Sequence, residues 1–267
     1  MMHANGIDIH YRISGDGPET VVLVNGVGDD LEGWAMQLDP LVAAGLRVIT
    51  FDNRGVGRSS APPGPYSSRE MAADTKGLAD AIGLSGFHLV GVSMGGVIAQ
   101  EYALAYPDDL RSVVLANTFA RPDAFTRAAF DTWGQVAESA GMQLMMRQQA
   151  PWVFSPAFYE AHPDQLATMV AEMERSSQPA SAFSAQIAAL VTHDSAERLG
   201  SLQTPALVLA ADDDIIIRLS LSHRLYEELP HGSWAIVPGG HAAFVENPDP
   251  WNRAVIAFID QHRAAVH

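Results

Sequence analysis

The feature that most constrains this chain is the stretch Gly86–Gln100, GFHLVGVSMGGVIAQ. Phe87 to Val92 is a short apolar run of the kind that makes a buried strand. It breaks at Gly91-Val92-Ser93-Met94-Gly95, a G-x-S-x-G, after which Val97, Ile98 and Tyr102 fall at helical spacing. A serine on such a strand-to-helix turn is held in a strained backbone geometry that points its Oγ out of the fold. Gly91 and Gly95 leave room for the turn because neither carries a Cβ. Met94 starts the helix, so its N–H has no intrahelical acceptor and can face a developing negative charge. Five letters alone are weak, but the strand before and the helix after make Ser93 a candidate nucleophile. The plainer reading, a helix N-cap serine, leaves the flanking glycines unexplained.

The rest of the chain alternates strand and helix around this turn. Gly6 to Ser14 alternates apolar and polar residues and predicts an edge strand. Thr20–Val24 and Leu46–Phe51 are continuous apolar runs, expected as strands buried on both faces. Leu110–Asn117, Pro205–Ala211 and Ser233–Val237 are later strands, and helices are expected over 31–44, 67–84, 219–229 and 248–263. This pattern predicts an α/β fold, a mostly parallel central sheet with helices on both faces. Residues 118–200 have no β-branched run, and aromatic, Met and Ala residues recur there at helical spacing. They are expected to form a helical cap, a lid inserted between core segments 1–117 and 201–267. No internal repeat or low-complexity tract is visible.

Composition limits the function classes. The formal charge of −15 argues against a nucleic-acid partner, which needs a basic patch, and the 16 cations (one lysine, Lys76, the rest arginine) are scattered singly. The absence of cysteine removes disulfides, thiolate chemistry and thiol-ligated zinc. No apolar run reaches membrane-spanning length, and no signal-peptide core is visible near residue 1, so a cytoplasmic protein with no membrane partner is expected. Gly26-x-Gly28 and Gly55-x-Gly57 lack the third glycine of a dinucleotide fingerprint, and no P-loop lysine exists. No metal and no organic cofactor are expected.

A nucleophilic serine needs a base, an acid that orients the base, and oxyanion donors. Of ten histidines, His241 is preferred as base: it follows a strand in Val237-Pro238-Gly239-Gly240, whose glycine pair lets the loop swing over the sheet edge. His88 lies inside the elbow strand, His3, His10, His262 and His267 are terminal, and the others sit in helical or turn surroundings. For the acid, Asp212-Asp213-Asp214 follows a strand, and three carboxylates cannot share one buried site without strong repulsion. Asp214 is the first choice and Asp213 the second. The loop Asn25–Gly28 follows the first central strand and is expected to supply a second oxyanion donor, the N–H of Val27, beside that of Met94.

These residues together resemble the α/β-hydrolase superfamily over nearly the whole chain: the Asn25–Gly28 loop, Asp52-x-Arg54-Gly55-x-Gly57-x-Ser59, the Ser93 elbow, Ala211-x-x-Asp214 and Gly240-His241. Within it the chain is similar to the small bacterial group that includes 3-oxoadipate enol-lactonases and aminoacrylate (carbamate-type) hydrolases. Many relatives carry His-Gly at Asn25-Gly26 and glycine at Ala211. The resemblance implies that Asp52-x-Arg54 is a loop-bracing ion pair. Ser93 excludes the aspartate-nucleophile chemistry of haloalkane dehalogenases and epoxide hydrolases. Members with their acid after the preceding strand would carry a carboxylate near Asn117, where this chain has an amide.

The expected activity is a serine hydrolase acting on an ester or lactone of a small to medium, partly apolar substrate. The same triad also serves C–C, carbamate or amide hydrolysis and perhydrolysis, and a non-catalytic ligand-binding receptor is a third class. Trp34, Phe119, Trp133, Met145, Trp152 and Phe154 are candidate walls of the substrate pocket, although the Met-rich segment also reads as core between lid helices. Asp29 and Asp30, beside the oxyanion loop, would disfavour a strongly anionic substrate at that rim. The expected partner is a small-molecule substrate, and the sequence leaves a homo-oligomer open.

Overall fold

The computed structural model describes residues 1–264. The chain begins with a hairpin, β1 (Met2–Ala4) against β2 (Ile7–Ile9), turned by Asn5 and Gly6, both at positive φ as an Asn-Gly hairpin turn requires. β3 (Tyr11–Ser14) then joins the main sheet antiparallel to its neighbour. The single edge strand expected over 6–14 is therefore two strands in two sheets. The break falls at His10, whose N–H donates to Ser59 Oγ (2.9 Å) and whose ring bonds Asp52 (2.9 Å).

β4 (Glu19–Val24) leads into a 3-10 turn over Leu31–Trp34, and α1 (Ala35–Ala43) continues from it. β5 (Leu46–Phe51), α2 (Ser68–Ala81), β6 (Phe87–Val92), α3 (Met94–Ala105) and β7 (Leu110–Ala116) follow in alternation. Six helices come next without an intervening strand: α4 (Ala124–Ala140), α5 (Met142–Val153), α6 (Pro156–Ala161), α7 (Pro163–Met173), α8 (Ala180–Thr192) and α9 (Ala196–Leu199). The chain re-enters the sheet with β8 (Ala206–Ala211), α10 (Leu219–Glu227) and β9 (Gly232–Val237), and ends in a short α11 (Ala243–Glu246) and α12 (Pro248–Asp260).

The main sheet runs β3-β5-β4-β6-β7-β8-β9, parallel except for β3. Alternation along β4 divides the interior. Val22 and Val24 join the apolar cluster under α2, α3 and α10, while Val21 and Leu23 join that under α1 and α12. The chain runs outward from β4 in both directions, to β5 on one side and β6 on the other. At such a switch point the loops leaving the carboxyl ends of neighbouring strands part and form a crevice. The loops after β4, β6, β7, β8 and β9 all leave that edge, and they carry Asn25–Asp30, Ser93, Asn117, Asp212–Asp214 and His241.

The loop after β5 is braced differently from expectation. Asp52 and Arg54 do not pair with each other. Asp52 accepts the N–H groups of Leu31 (2.8 Å) and Arg58 (2.8 Å) and bonds the His10 ring. Arg54 turns to α2, where Asp74 receives two of its nitrogens and Glu70 a third. Both oxygens of Asp52 are already occupied, Oδ1 by the Leu31 N–H and Oδ2 by the Arg58 N–H and the His10 ring, while two carboxylates of α2 take up the guanidinium of Arg54.

Candidate active site

Ser93 occupies the turn between β6 and α3 at φ 55° and ψ −115°, outside the regions open to ordinary L-residues. Such a conformation costs about 1–3 kcal/mol and persists only when its surroundings over-determine it. Here the Ser93 N–H donates to Ala116 O (2.9 Å) and its carbonyl accepts from Thr118 Oγ1 (2.9 Å), so the end of β7 holds both sides of the residue. The glycines are required by close approach. A Cβ on Gly91 would stand 2.1 Å from Gly95 O, and one on Gly95 would stand 1.9 Å from Val24 O.

The His241 ring is 2.7 Å through Nδ1 from Asp214 Oδ2. A carboxylate only accepts, so Nδ1 carries a proton, and in the neutral imidazole Nε2 is then the nitrogen with the free lone pair. Ser93 and His241 line one cavity of about 480 Å³. Asp214 is buried and fully bonded: Oδ1 accepts the N–H groups of Ile216 (2.9 Å) and Ile217 (2.8 Å), and Oδ2 accepts from Asn117 Nδ2 (2.9 Å) as well as from His241. Its neighbours do other work. Asp212 is exposed and accepts Gly239 N–H (3.0 Å), tying the loop after β8 to the loop after β9; Asp213 is exposed.

The loop after β4 brings Val27 to the cavity wall, and Met94 is the buried first residue of α3. Among the described residues neither Val27 N–H nor Met94 N–H has an acceptor. The next N–H, that of Gly28, is already taken by Gln186 Oε1 (3.1 Å). Asn53 Nδ2 braces the loop at Asn25 O (3.1 Å).

Of the aromatic and methionine side chains singled out from sequence, Trp133 and Phe154 line the cavity. Trp34 does not; it is fully buried behind the cavity wall, packed on Phe244 and Trp251. Phe119 is buried against Phe130 and His193, and Met145 faces the same core, so it is Met146, one residue on, that reaches the cavity. Trp152 packs between Phe125 and Trp133 instead of lining the cavity. Aromatic spacing marks a helix face but not which neighbour that face meets. Among the histidines passed over, His88 and His193 are buried, and burial lowers both to about 4. His267 lies outside the described residues.

Glu246 escaped the sequence reading, and Asn117 and Asp29, noted there in other respects, also take places in the site. Asn117, at φ 46°, aims its amide at Asp214. Glu246 accepts Gly240 N–H (3.2 Å), Ser155 N–H (2.8 Å) and Ser155 Oγ (2.6 Å), so it fastens the histidine loop to the N-cap of α6. Asp29 stands exposed on the cavity wall; partial desolvation there, then the charge of Asp30, pushes its pKa up to about 6, against a downward pull from His241. The Glu246 pattern had one legible signal, a carboxylate one turn after the base.

Comparison with known proteins agrees with this fold. Residues 19–248 match the family model described as alpha/beta hydrolase fold. The chain belongs to that family. It is 32% identical over 263 residues to a relative that carries the carbamate hydrolase name RutD in Azorhizobium caulinodans, covering 97% of this chain and 98% of that one. A RutD relative in Caulobacter segnis is 33% identical over 258 residues, covering 94% and 96%. Among solved structures, the enol-lactonase of Burkholderia xenovorans LB400 superposes with a TM-score of 0.90 at 26% identity, covering 96% of this chain and 98% of that one. A thermophilic esterase of Thermogutta terrifontis superposes with a TM-score of 0.87 at 26% identity, covering 96% and 95%. The chain is a hydrolase of the α/β-hydrolase fold, and among its described residues no helix is long and apolar enough to cross a membrane.

Proposed function

We propose that this hydrolase cleaves a carboxylic ester or lactone through an acyl-enzyme on Ser93, with His241 as base and Asp214 as the acid that orients it. The observation that carries this reading is that the His241 ring, bonded to Asp214, lines the same cavity as Ser93. His241 Nε2 takes the proton of Ser93 as Oγ attacks the carbonyl carbon. The resulting oxyanion is held by the N–H groups of Val27 and Met94, each worth on the order of 10²–10³ in rate. The alcohol leaves with the proton from His241. Water, deprotonated by the same nitrogen, then releases the acid and restores the serine. Asp214 keeps its charge and its four donors throughout.

The six helices between β7 and β8 serve in this account as the lid over residues 118–200, with core segments 1–117 and 201–267 holding the chemistry. Trp133, Met146, Phe154 and Met173 make much of the cavity wall apolar, which suits a partly apolar small or medium substrate. A second reading, hydrolysis of a carbamate or amide by the same residues, is favoured by the RutD relatives, whose identity of about a third extends over nearly the full chain. One experiment separates the two. Turnover of p-nitrophenyl esters, aliphatic lactones and N-unsubstituted carbamates is compared, with a pre-steady-state burst of p-nitrophenol measured on the first. A burst with ester or lactone turnover well above carbamate turnover supports the first reading, and the reverse order the second. No burst and no turnover of any of them would overturn both.

A further inference from the structure

The loop Asn25–Gly28 is tethered on both sides of the peptide that carries the Val27 N–H. Before it, the Asn25 carbonyl accepts from Asn53 Nδ2 (3.1 Å). After it, the Gly28 N–H donates to Gln186 Oε1 (3.1 Å). The plane between joins Gly26 to Val27, and its N–H has no acceptor among the described residues. A trans peptide plane is rigid, so its direction follows from the backbone dihedrals of Gly26 and Val27 alone. Gly26 lacks a Cβ and Gly28 sits at φ 82°, so local sterics leave that direction loosely determined. The two tethers determine it.

Gln186 is the tether that comes from the helices between β7 and β8. It lies on α8 and is fully buried. Arg54 O can only accept, so Gln186 Nε2, 2.9 Å away, is the donor and the orientation of the amide is fixed. Gln186 Oε1 then receives the Gly28 N–H and Gln178 Nε2 (3.0 Å). The helix that carries it has no slack. A Cβ on Gly55 would stand 3.2 Å from Ala182 Cβ, and one on Gly64 would stand 2.5 Å from Ala185 Cβ. Gly28 is closely covered as well, since a Cβ there would meet Met146 Cε at 3.1 Å and Phe183 Cε2 at 3.4 Å. α8 is therefore seated on the loop after β5, and one amide bonds that loop and the loop after β4 together.

We propose that Gln186 is a positioning residue for the oxyanion donor Val27. Gln186 does not line the cavity, so the Gly28 N–H is turned toward buried protein and the Val27 N–H is the one left to meet the substrate oxygen. The inference rests on the acyl-transfer reading of Ser93 above. It gives α8 a part in the chemistry beyond covering the cavity. Because Gln186 acts through Val27, its effect falls where charge develops on the carbonyl oxygen and not on substrate binding.

The test compares the ester with two ketones in the wild type and in Gln186→Met. Ser93 Oγ adds to the carbonyl carbon of a trifluoromethyl alkyl ketone, its proton passing to His241, and the resulting oxyanion occupies the place of the one formed in turnover. The methyl ketone of the same chain length is not attacked and reports ground-state binding. In Gln186→Met, kcat for p-nitrophenyl butanoate should fall by about tenfold or more, a part of the roughly 10²–10³ that loss of a whole donor costs. KM should stay within about threefold, as should the inhibition constant of the methyl ketone. The inhibition constant of the trifluoromethyl ketone should rise by the factor by which kcat/KM falls. If Gln186→Met does not fold, Gln186→Asn, which draws the amide back by one methylene, is read in the same way. An unchanged kcat, or equal losses of affinity for the two ketones, would overturn the proposal. Fluorophosphonate labelling of wild-type Ser93 is measured alongside. If labelling persists while the Gln186 variant is indifferent, the positioning role alone falls; if labelling and turnover are both absent in the wild type, the acyl-transfer reading falls and takes this inference with it.

Discussion

Asn117 Nδ2 donates to the same carboxylate oxygen of Asp214 that receives the His241 ring, at 2.9 and 2.7 Å. The amide follows β7, and it holds in place the carboxylate, proposed above as the orienting acid, that follows β8. Its own Oδ1 is buried without a donor, so the residue is committed to this one bond.

Replacing Asn117 with Leu should therefore lower kcat by about tenfold while leaving KM for a neutral ester near the wild-type value. Loss of one of several donors costs about 1–2 kcal/mol in the positioning of Asp214, a figure in the range of single hydrogen bonds to charged groups. Steady-state kinetics on a p-nitrophenyl ester checks the split. An effect confined to KM would assign Asn117 to substrate binding instead.

The three consecutive aspartates make a sharper comparison. Asp214→Asn should lower kcat by roughly 10⁴, the scale on which removing the orienting carboxylate acts in other triads. Asp212→Asn keeps an acceptor for the Gly239 N–H and should cost less than about fivefold. Equal losses at the two positions would mean that the acid is not Asp214.

Glu246→Ala would leave Gly240 N–H, Ser155 N–H and Ser155 Oγ without their acceptor. The expected result is a lower melting temperature, corresponding to about 2–4 kcal/mol, with kcat reduced because the histidine loop is no longer fastened. Glu246→Gln retains one acceptor oxygen and should recover much of both. A melting temperature unchanged in the alanine variant would show that the loop is held by other contacts.

Acid sensitivity follows from two buried histidines outside the site. Burial lowers His88 and His193 to about 4 from the ordinary 6.5. Between those values the unfolded chain binds more protons than the folded one, so stability is lost as pH falls from about 6.5 to 4. Thermal melts at pH 7.5 and 5 should show this drop, and His193→Gln should flatten the slope even if it lowers the melting temperature at pH 7.5. An unchanged slope would show that His193 is not held neutral.

Much of the site was legible because elbow chemistry is local. A strand, two glycines that must clear neighbouring backbone, and a helix start together define Ser93 and Met94 within a few residues. His241 and Asp214 could be placed because each follows a strand, and parallel strands deliver their following loops to one edge. The edge strand divides in two because the Asn5-Gly6 turn opens it and the His10 bonds interrupt it midway, and a period-two pattern is blind to both. Trp34, Phe119, Met145 and Trp152, expected as pocket walls, pack into or against the core instead, since an apolar side chain suits core or cavity equally well until its neighbours are known.

The central claim is that Ser93 forms the covalent intermediate, and intact-protein mass spectrometry with peptide mapping tests it most directly. After incubation with a fluorophosphonate, and separately after rapid acid quench during ester turnover, the wild-type protein should gain the mass of one adduct, located on Ser93. Ser93→Ala should gain none, fold normally and lose roughly 10⁴–10⁶ in kcat. An adduct on another residue, or wild-type turnover in the alanine variant, would contradict the account.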